Sequence, residues 1–273
     1  MAYATIMVNY GFEGGPDARL RLAKSLADRF RATLIGVACR GITPVVVEGI
    51  MVPARSSAAE YQQLQELLAD QQSKFVISTQ GCAKPTEWKS GVEPPTAFLA
   101  RESRSADVIL IEQQGETGNL YESLDPAGLI LSAGRPVLTI PSKVFDLSAK
   151  SVVVGWKDTR ESRRAVQDSL PFLHAAESVL IVGIRENLTD DEARGGVDDV
   201  CRYLSRHRIN AHPRVITSAE GDPAGELIRV AHAEGADLIV AGAYGRSRVG
   251  EWIFGGVTRD LLRNCPLCCL FSH

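Results

Sequence analysis

The chain alternates short runs of apolar, mostly β-branched residues with longer segments whose apolar residues recur every three or four positions. Short apolar runs are typical of buried strands, and the longer spacing is typical of helices. This alternation predicts a parallel sheet covered by helices on both faces. In the second half the predicted strands are Ser151–Gly155, Ser178–Ile184, Arg214–Ser218, Leu238–Ala241 and Leu267–Phe271, and the predicted helices are Arg160–Leu173, Val197–His207, one that begins at Gly221-Asp222-Pro223, and Val257–Arg263.

The first half repeats this order with additional residues. Its extra length lies in Gly41–Arg55, an apolar stretch that contains prolines, and in the long helix after it. Because Val45–Val47 and Ile50–Val52 would be costly in water, we expect this stretch to pack on the other half or on another subunit. The predicted elements are Thr5–Asn9, Arg19–Phe30, Thr33–Ala38, Ser57–Gln80, Thr86–Lys89, Pro95–Glu102, Val108–Glu112, Ala127–Ser132 and Val137–Ile140.

The two halves also align residue by residue. At an offset of 130 residues Asp107 aligns with Asp237, and at an offset of 146 residues Ile6–Val8 aligns with Val152–Val154. The difference between the offsets places the extra residues of the first half between positions 38 and 105. The chain is therefore predicted to be a tandem duplication, with domains at residues 1–142 and 150–273.

Two local signals set expected helix boundaries in the second half. Pro171 should bend or end the last turn of the helix predicted over Arg160–Leu173. Asp222 followed by Pro223 is typical of an N-cap and a first helical turn.

Composition and charge exclude several partners. The 30 basic residues are balanced by 33 acidic ones, and the formal net charge is −3, which is not the footprint of a nucleic-acid or anionic-membrane binder. The chain has no uncharged apolar run of about 18 residues and no basic, apolar leader. We therefore expect a cytoplasmic protein with no nucleic-acid partner and no membrane partner.

The six cysteines are too scattered for a disulfide scaffold. Cys265 and Cys268 have the spacing of a metal or redox pair, but they lie in an apolar run that is typical of a closing strand. Side chains alternate between the faces of a strand, so these two thiols are expected to point to opposite sides. We expect buried core residues here and no metal site.

The clearest chemical signal is a glycine cluster after the predicted strand Leu238–Ala241. Glycine permits close approach of backbone to a ligand, and a helix N-terminus attracts anions. Ligands of open parallel sheets bind at the carboxyl ends of the strands, where strand order reverses. The alternative is that these glycines only form a tight turn. The candidate ligand residues are Gly155, Trp156, Lys157 and Ile184 at strand ends, and Gly242, Gly245, Arg246, Ser247, Gly255, Gly256, Val257 and Thr258 in the loop and helix start.

Other phosphate and catalytic motifs do not fit. The spacing from Gly250 to Gly255 is that of a phosphate loop, but Gly256 and Val257 follow in place of the required lysine. No Gly-x-Gly-x-x-Gly fingerprint is present, and Gly245–Gly250 is one residue too long for a nucleophile elbow. No catalytic residue is proposed.

The glycine spacing Gly242-x2-Gly245-x9-Gly255, the Asp237 segment before it and the helix start at Asp222, in a chain with two such copies, resemble the tandem universal stress proteins. The resemblance implies an α/β fold: two Rossmann-like, adenine nucleotide alpha hydrolase-like domains in tandem, each with a five-stranded parallel sheet. It also implies pairing of the two halves as in a family dimer, a homodimer as a further possible assembly, and a role in tolerance of stress.

The resemblance further implies an adenine nucleotide as ligand, ATP or a relative, with Mg²⁺ as a possible companion. By this match Ile184 would touch the base. The phosphates and ribose would lie against Gly242, Gly245, Arg246, Gly255, Gly256 and Val257.

Two departures from the family pattern concern the second half. The strand-one aspartate of the family falls at Lys157, with Asp158 beside it, and the hydroxyl residue after the last glycine is replaced by Gly256, so that Thr258 is the nearest hydroxyl. A lysine can pair with a phosphate but cannot accept a hydrogen bond from ribose or adenine.

In the first half, Glu112, Asp125 and Pro126 stand at the positions of Gly242, Gly255 and Gly256. Two carboxylates would repel a polyphosphate, and proline lacks an N–H donor. We expect no ATP binding there.

Three functional hypotheses remain. The first is a stress-response protein with one nucleotide site in the second half. The second is an interaction module that binds no nucleotide and acts through dimerisation and Gly41–Arg55. The third is an ATP-hydrolysing enzyme, for which we expect slow hydrolysis at most, since the sequence places no general base.

Overall fold

The structure is a computed structural model and describes residues 2–11, 17–47, 50–52, 58–113, 118–185, 190–217, 222–245 and 256–273. The chain divides into two compact units, Tyr3–Arg135 and Pro136–His273, which we call the first and second unit. Candidate residues Arg246, Ser247 and Gly255 lie outside the described part of the chain.

In the first unit, four parallel strands form a sheet in the order β5-β2-β1-β6. A separate antiparallel pair is formed by β3 and β4. The helices and strands are β1 (Thr5–Asn9), α1 (Asp17–Phe30), β2 (Thr33–Cys39), β3 (Val45–Val47), β4 (Ile50–Val52), α2 (Ala58–Ser78), β5 (Glu87–Gly91), α3 (Pro95–Glu102), β6 (Val108–Glu112) and α4 (Pro126–Ser132).

In the second unit, five parallel strands are ordered β10-β9-β8-β11-β12, and β7 lies antiparallel beside β12. The helices and strands are β7 (Val137–Ile140), β8 (Ser151–Trp156), α5 (Arg160–Asp168), α6 (Leu170–Ala175), β9 (Ser178–Arg185), α7 (Asp190–Arg206), β10 (Ala211–Thr217), α8 (Pro223–Ala233), β11 (Leu238–Gly242), α9 (Gly256–Asn264) and β12 (Cys268–Ser272).

The strands at the centre of each sheet form the core. Val152–Val154 in β8 and Leu238–Val240 in β11 are at most 1% exposed. Strands buried on both faces are continuously apolar, because neither face meets water. This confirms the predicted α/β sheet, whose strand order reverses between β8 and β11 in the second unit.

The last strand of the first half behaves differently from the others. Val137–Ile140 is predicted and found as a strand, but it pairs antiparallel with β12, with Leu138 opposite Leu270, and groups with the second unit. Thr139 Oγ1 also donates to the Cys269 carbonyl at 3.3 Å. Hydrophobic periodicity identifies a strand but not its partner, so this pairing could not be predicted.

Both predicted helix boundaries are confirmed. Helix α5 ends at Asp168 and α6 begins at Leu170, so the chain breaks just before Pro171. The Asp222 side chain accepts the Gly225 N–H at 2.9 Å and caps α8.

The aligned aspartates of the two halves have the same structural role. Asp237 Oδ2 accepts the N–H groups of Ser148 and Ala149 at 2.9 and 3.0 Å, and Asp107 Oδ2 accepts the Thr5 N–H at 3.0 Å. Each carboxylate therefore fixes the start of the first strand of its half.

The extra residues of the first half include the β3–β4 hairpin and the long helix α2. Helix α2 contacts the sheet through Phe75, whose ring occupies the space above Gly36 and meets Trp88 at a centroid distance of 5.2 Å. The packing of Gly41–Arg55 on the other half or on a second subunit stays a prediction. Among the described helices, none is both long and apolar enough to cross a membrane.

The cysteine prediction needs one correction. Cys265 lies before β12, which begins at Cys268, so the two residues do not share a strand. Cys269 Sγ instead donates to the Leu267 carbonyl at 3.6 Å, and interaction between the neighbouring Cys265 and Cys269 thiols lowers the pKa of Cys265 and raises that of Cys269. All three side chains are buried in the core.

Candidate functional site

The second unit contains a cavity at the carboxyl ends of β8, β9 and β11, where the strand order reverses. This is the place at which open parallel sheets bind ligands. The cavity is lined by Gly155, Trp156, Lys157, Thr159, Ser162, Ile184, Pro223, Leu227, Ala241, Gly242, Tyr244, Gly245, Gly256, Val257 and Thr258.

The structure brings together nine residues that the sequence proposed as ligand contacts. They come from three strand ends and one helix start: Gly155, Trp156, Lys157, Ile184, Gly242, Gly245, Gly256, Val257 and Thr258. Their role in binding stays a prediction.

Gly242 has a structural explanation in the fold. A Cβ added there would lie 2.5 Å from the Ser162 nitrogen and 2.6 Å from the Glu161 carbonyl carbon. Both obstacles are backbone atoms at the start of α5, so a side chain at this position would push the helix from β11. Gly242 is thus required for packing whether or not a ligand binds.

Gly155 serves the cavity by making room for a side chain. A Cβ at Gly155 would lie 2.9 Å from Leu227 Cδ2, so the glycine lets α8 approach the end of β8. Leu227, Ile184 and Pro223 then form an apolar wall. An apolar wall with a few polar groups is typical of small-molecule sites.

The start of α5 supplies two hydroxyl residues that the candidate list lacks. Thr159 Oγ1 accepts the Ser162 N–H at 3.3 Å and caps the helix, and the Lys157 N–H donates to Ser162 Oγ at 3.4 Å. A threonine just before a helix is a local N-cap signal, so Thr159 could have been found from the sequence. Neighbouring Asp158 is not a cavity residue and pairs with Arg163.

Glu161 is the buried charge closest to the glycine loop. Its side chain is 3% exposed, and Oε2 lies 3.3 Å from the position of a Cβ at Gly245. Burial raises the pKa of this carboxyl, but hydrogen bonds from Arg160, from its own backbone amide and from Thr159 lower it by more. The net pKa lies below the ordinary value of a glutamate. Glu161 is therefore ionised at neutral pH, with Arg160 as its counter-charge.

The N-terminus of α9 forms the opposite side of the cavity. The first N–H groups of a helix have no partner within the helix and carry partial positive charge. Gly256 is exposed, and a Cβ there would meet only Asp260 Oδ2, at 3.9 Å. Thr258 is buried, and its Oγ1 accepts the Tyr244 N–H at 3.4 Å, while Tyr244 has the left-handed φ of 56°.

The start of α4, the repeat-related position in the first unit, is already capped by a carboxylate. Asp125 Oδ1 accepts the Ala127 N–H at 3.0 Å, so a carboxylate already caps α4, and Pro126 contributes no N–H donor. Glu112, at the position of Gly242, pairs with Arg19 at 3.3 Å. These contacts support the expectation that the first half does not bind ATP.

The sequence and the fold are similar to known proteins. Residues 148–271 match the model of the Universal stress protein family. No curated protein matches the chain significantly.

Similar solved structures cover both halves. A universal stress protein from Archaeoglobus fulgidus DSM 4304 is 11% identical, with a TM-score of 0.75, and the likeness covers 98% of each chain. A functionally unknown protein from Pseudomonas aeruginosa PAO1 is 15% identical, with a TM-score of 0.58, over 99% of this chain and 92% of that one. At these identities the likeness shows the fold alone, and it confirms two Rossmann-like halves in tandem.

Proposed function

We propose that this chain is a stress-response protein of the universal stress protein family whose second unit binds one adenine nucleotide, ATP in the first instance. The observation that carries the proposal is one cavity in which an apolar wall faces the N-terminus of a helix. The family match supports it, because residues 148–271 include every residue of that cavity.

The adenine ring would lie on the apolar side of the cavity. Ile184 and Leu227 offer aliphatic contacts, and Trp156 adds an aromatic edge at the end of β8. A flat heteroaromatic ring gains from such contacts because it leaves water and stacks on aliphatic and aromatic groups.

The phosphates would lie at the start of α9. A helix N-terminus attracts anions through its free N–H groups and its dipole, and Gly256 at the start of α9 is exposed and lines the cavity. Lys157 lines the same cavity and can pair with a phosphate as a point charge.

We expect a bound Mg²⁺ to be held mainly by the nucleotide. Among the described residues, no group of three His, Cys, Asp or Glu side chains could hold a metal ion. Mg²⁺ commonly binds substrate phosphates, water and only one or two carboxylates. The described cavity residues include no carboxylate or histidine that could act as a general base, so we expect slow hydrolysis at most.

Isothermal titration calorimetry of the full chain with ATP tests this proposal. We expect about one ATP per chain. Gly256→Glu should weaken ATP binding at least 100-fold, since two like charges about 4 Å apart repel by roughly 4 kcal/mol near a protein surface. A glutamate in the first turn favours the helix dipole, so the variant should remain folded.

Gly256→Ala is the matched control, because it adds only a methyl group in open space and should bind ATP normally. Gly245→Glu, which introduces a carboxylate into the same loop, should also abolish binding. A stoichiometry near two, or normal binding by both glutamate variants, would refute a single site at this loop.

The second candidate is an interaction module that binds no nucleotide. It is favoured by the β3–β4 hairpin, in which Val45–Val47 and Ile50–Val52 are all apolar and pair only with each other among the described strands. Native mass spectrometry distinguishes the two candidates. The interaction module is favoured if the purified protein carries no adenine compound and forms a dimer that dissociates when Val46 and Met51 are replaced by Ser.

A further inference from the structure

The first unit contains a second cavity, at the carboxyl ends of β1, β2 and β6. It occupies the place in this unit that corresponds to the cavity in the second unit. The lining of this cavity is richer in charged and amide side chains than that of the cavity in the second unit, which is mostly glycine and apolar residues. Those that carry the argument are Asn9, Arg19, Arg40, Glu112, Asn119 and Glu122.

Asn9 is a largely buried residue whose amide has no hydrogen-bond partner among the described residues. It is the last residue of β1, is 6% exposed and lines the cavity. No described residue hydrogen-bonds its side chain. The Asn9 amide is not among the fully buried, unpaired side-chain atoms of the described residues, so it faces the open space of the cavity and is available to a ligand.

Arg19 is a buried cation with donors to spare. Its residue is 5% exposed, its Nη2 donates to the Tyr10 carbonyl at 3.1 Å, and its Nη1 lies 3.3 Å from Glu112 Oε2. A guanidinium carries five N–H donors, so most of them have no partner among the described residues. Gly11 makes this position possible, because a Cβ there would lie 3.2 Å from Arg19 Nη2.

The two carboxylates of the cavity differ in how fully they are paired. Glu122 accepts hydrogen bonds from Arg40, from Thr43 at 2.9 Å and from Asn119 at 3.1 Å. Glu112 has one partner among the described residues, Arg19, and its side chain is 30% exposed. Glu112 is therefore the carboxylate with acceptor capacity left for a ligand.

We propose that this cavity binds a small zwitterion of the α-amino-acid class. The ligand carboxylate would accept hydrogen bonds from Arg19 and Asn9, and its ammonium group would donate to Glu112. A simple anion would be repelled by Glu112 and a simple cation by Arg19. An α-amino acid carries both charges on one carbon, which matches a guanidinium and a carboxylate that lie 3.3 Å apart.

The test uses the full chain, thermal shift and calorimetry. The probes are the proteinogenic amino acids, with acetate, methylamine and inorganic phosphate as ligands that carry one kind of charge. We expect at least one amino acid to raise the melting temperature and the three singly charged probes to have no effect. The Gly256→Glu variant should respond like the wild type, which assigns the response to the first unit.

Two variants test the assigned contacts. Asn9→Leu removes an amide that has no hydrogen-bond partner among the described residues, so the variant should remain folded and should bind the amino acid about 10-fold more weakly. Glu112→Gln should weaken the amino acid similarly and allow acetate to bind, because the repelling charge is gone.

Three results would overturn the proposal: no amino acid binds, acetate or phosphate binds the wild type as well as the amino acid does, or Asn9→Leu leaves the amino-acid affinity unchanged. Any of them would leave the Arg19–Glu112 pair as an ion pair of the fold alone.

Discussion

Replacing Gly242 by alanine separates the structural role of this glycine from a role in binding. The added Cβ would lie 2.5 Å from the Ser162 nitrogen, whereas non-bonded heavy atoms prefer about 3.5–4.0 Å. The start of α5 would therefore have to move from β11 by roughly 1 Å. Overpacking of a core costs about 1–3 kcal/mol, and we expect the upper end because backbone atoms cannot rotate away.

The assay is urea denaturation of the ligand-free chain, followed by circular dichroism. Gly242→Ala should lower the free energy of unfolding of the second unit by about 3 kcal/mol. Gly245→Ala is the matched control, since among the described residues its Cβ would meet side chains and no backbone, namely Glu161 at 3.3 Å and Thr159 at 3.5 Å. Its stability should stay within about 0.5 kcal/mol of the wild type.

The reasoning would be refuted if Gly242→Ala unfolded at the same urea concentration as the wild type. If that variant were stable and lost only ATP binding, the glycine would serve the ligand and not the contact between α5 and β11.

Three further predictions concern two hydrogen-bonded carboxylates and two buried thiols. The Asp237 carboxylate accepts hydrogen bonds from Ser148 and Ala149, and hydrogen bonds to a charged acceptor contribute about 1.5–3 kcal/mol each. Asp237→Asn should therefore lower the free energy of unfolding by about 2–4 kcal/mol, as measured by urea denaturation. Replacing the exposed Glu177 by Gln is the control and should change the stability little. Burial raises the pKa of Glu161, but hydrogen bonds leave it below the ordinary value of a glutamate. Its ionised form therefore stabilises the fold above that ordinary pKa, and the contribution is lost as the pH falls through the lowered pKa. Glu161→Gln should flatten the acid side of the curve of stability against pH, and an unaltered acid side would count against this assignment. Burial raises the pKa of Cys39 and of Cys268 to about 12. Neither thiol should therefore react with iodoacetamide at pH 8 until the chain is unfolded, which peptide mass spectrometry would show. Rapid labelling of either cysteine in the native protein would contradict this.

Much of the fold could be predicted because its signals are local. The strand Val108–Glu112 and the helix Pro95–Glu102 have the predicted bounds, since a continuous apolar run and a proline-initiated helix are each visible in one short segment. The break before Pro171 is also local, because the ring of a proline removes the N–H that a helix needs.

The parts that could not be predicted depend on contacts between distant segments. The alignment of Glu112 with Gly242 indicated a lost anion site, but it gave no sign that Arg19, at the start of α1, pairs with Glu112. The sequence likewise offered a ligand contact or a tight turn as the reason for Gly242, whereas the nearest atoms belong to the start of α5. Such reasons become visible only when the three-dimensional neighbours are known.

Asp125 caps α4, so the first half does not need an anion from the surrounding solution at this helix terminus. A carboxylate attached to the chain has an effective concentration that does not change with the composition of the cell, so the start of α4 is capped under every metabolic condition. Gly256, the first residue of α9, contributes no carboxylate. Under the proposed function a nucleotide from solution supplies the anion, so the second unit becomes more stable as the nucleotide becomes more abundant. Under the proposed function, the stability of the first unit is independent of the nucleotide concentration, whereas that of the second unit rises with it.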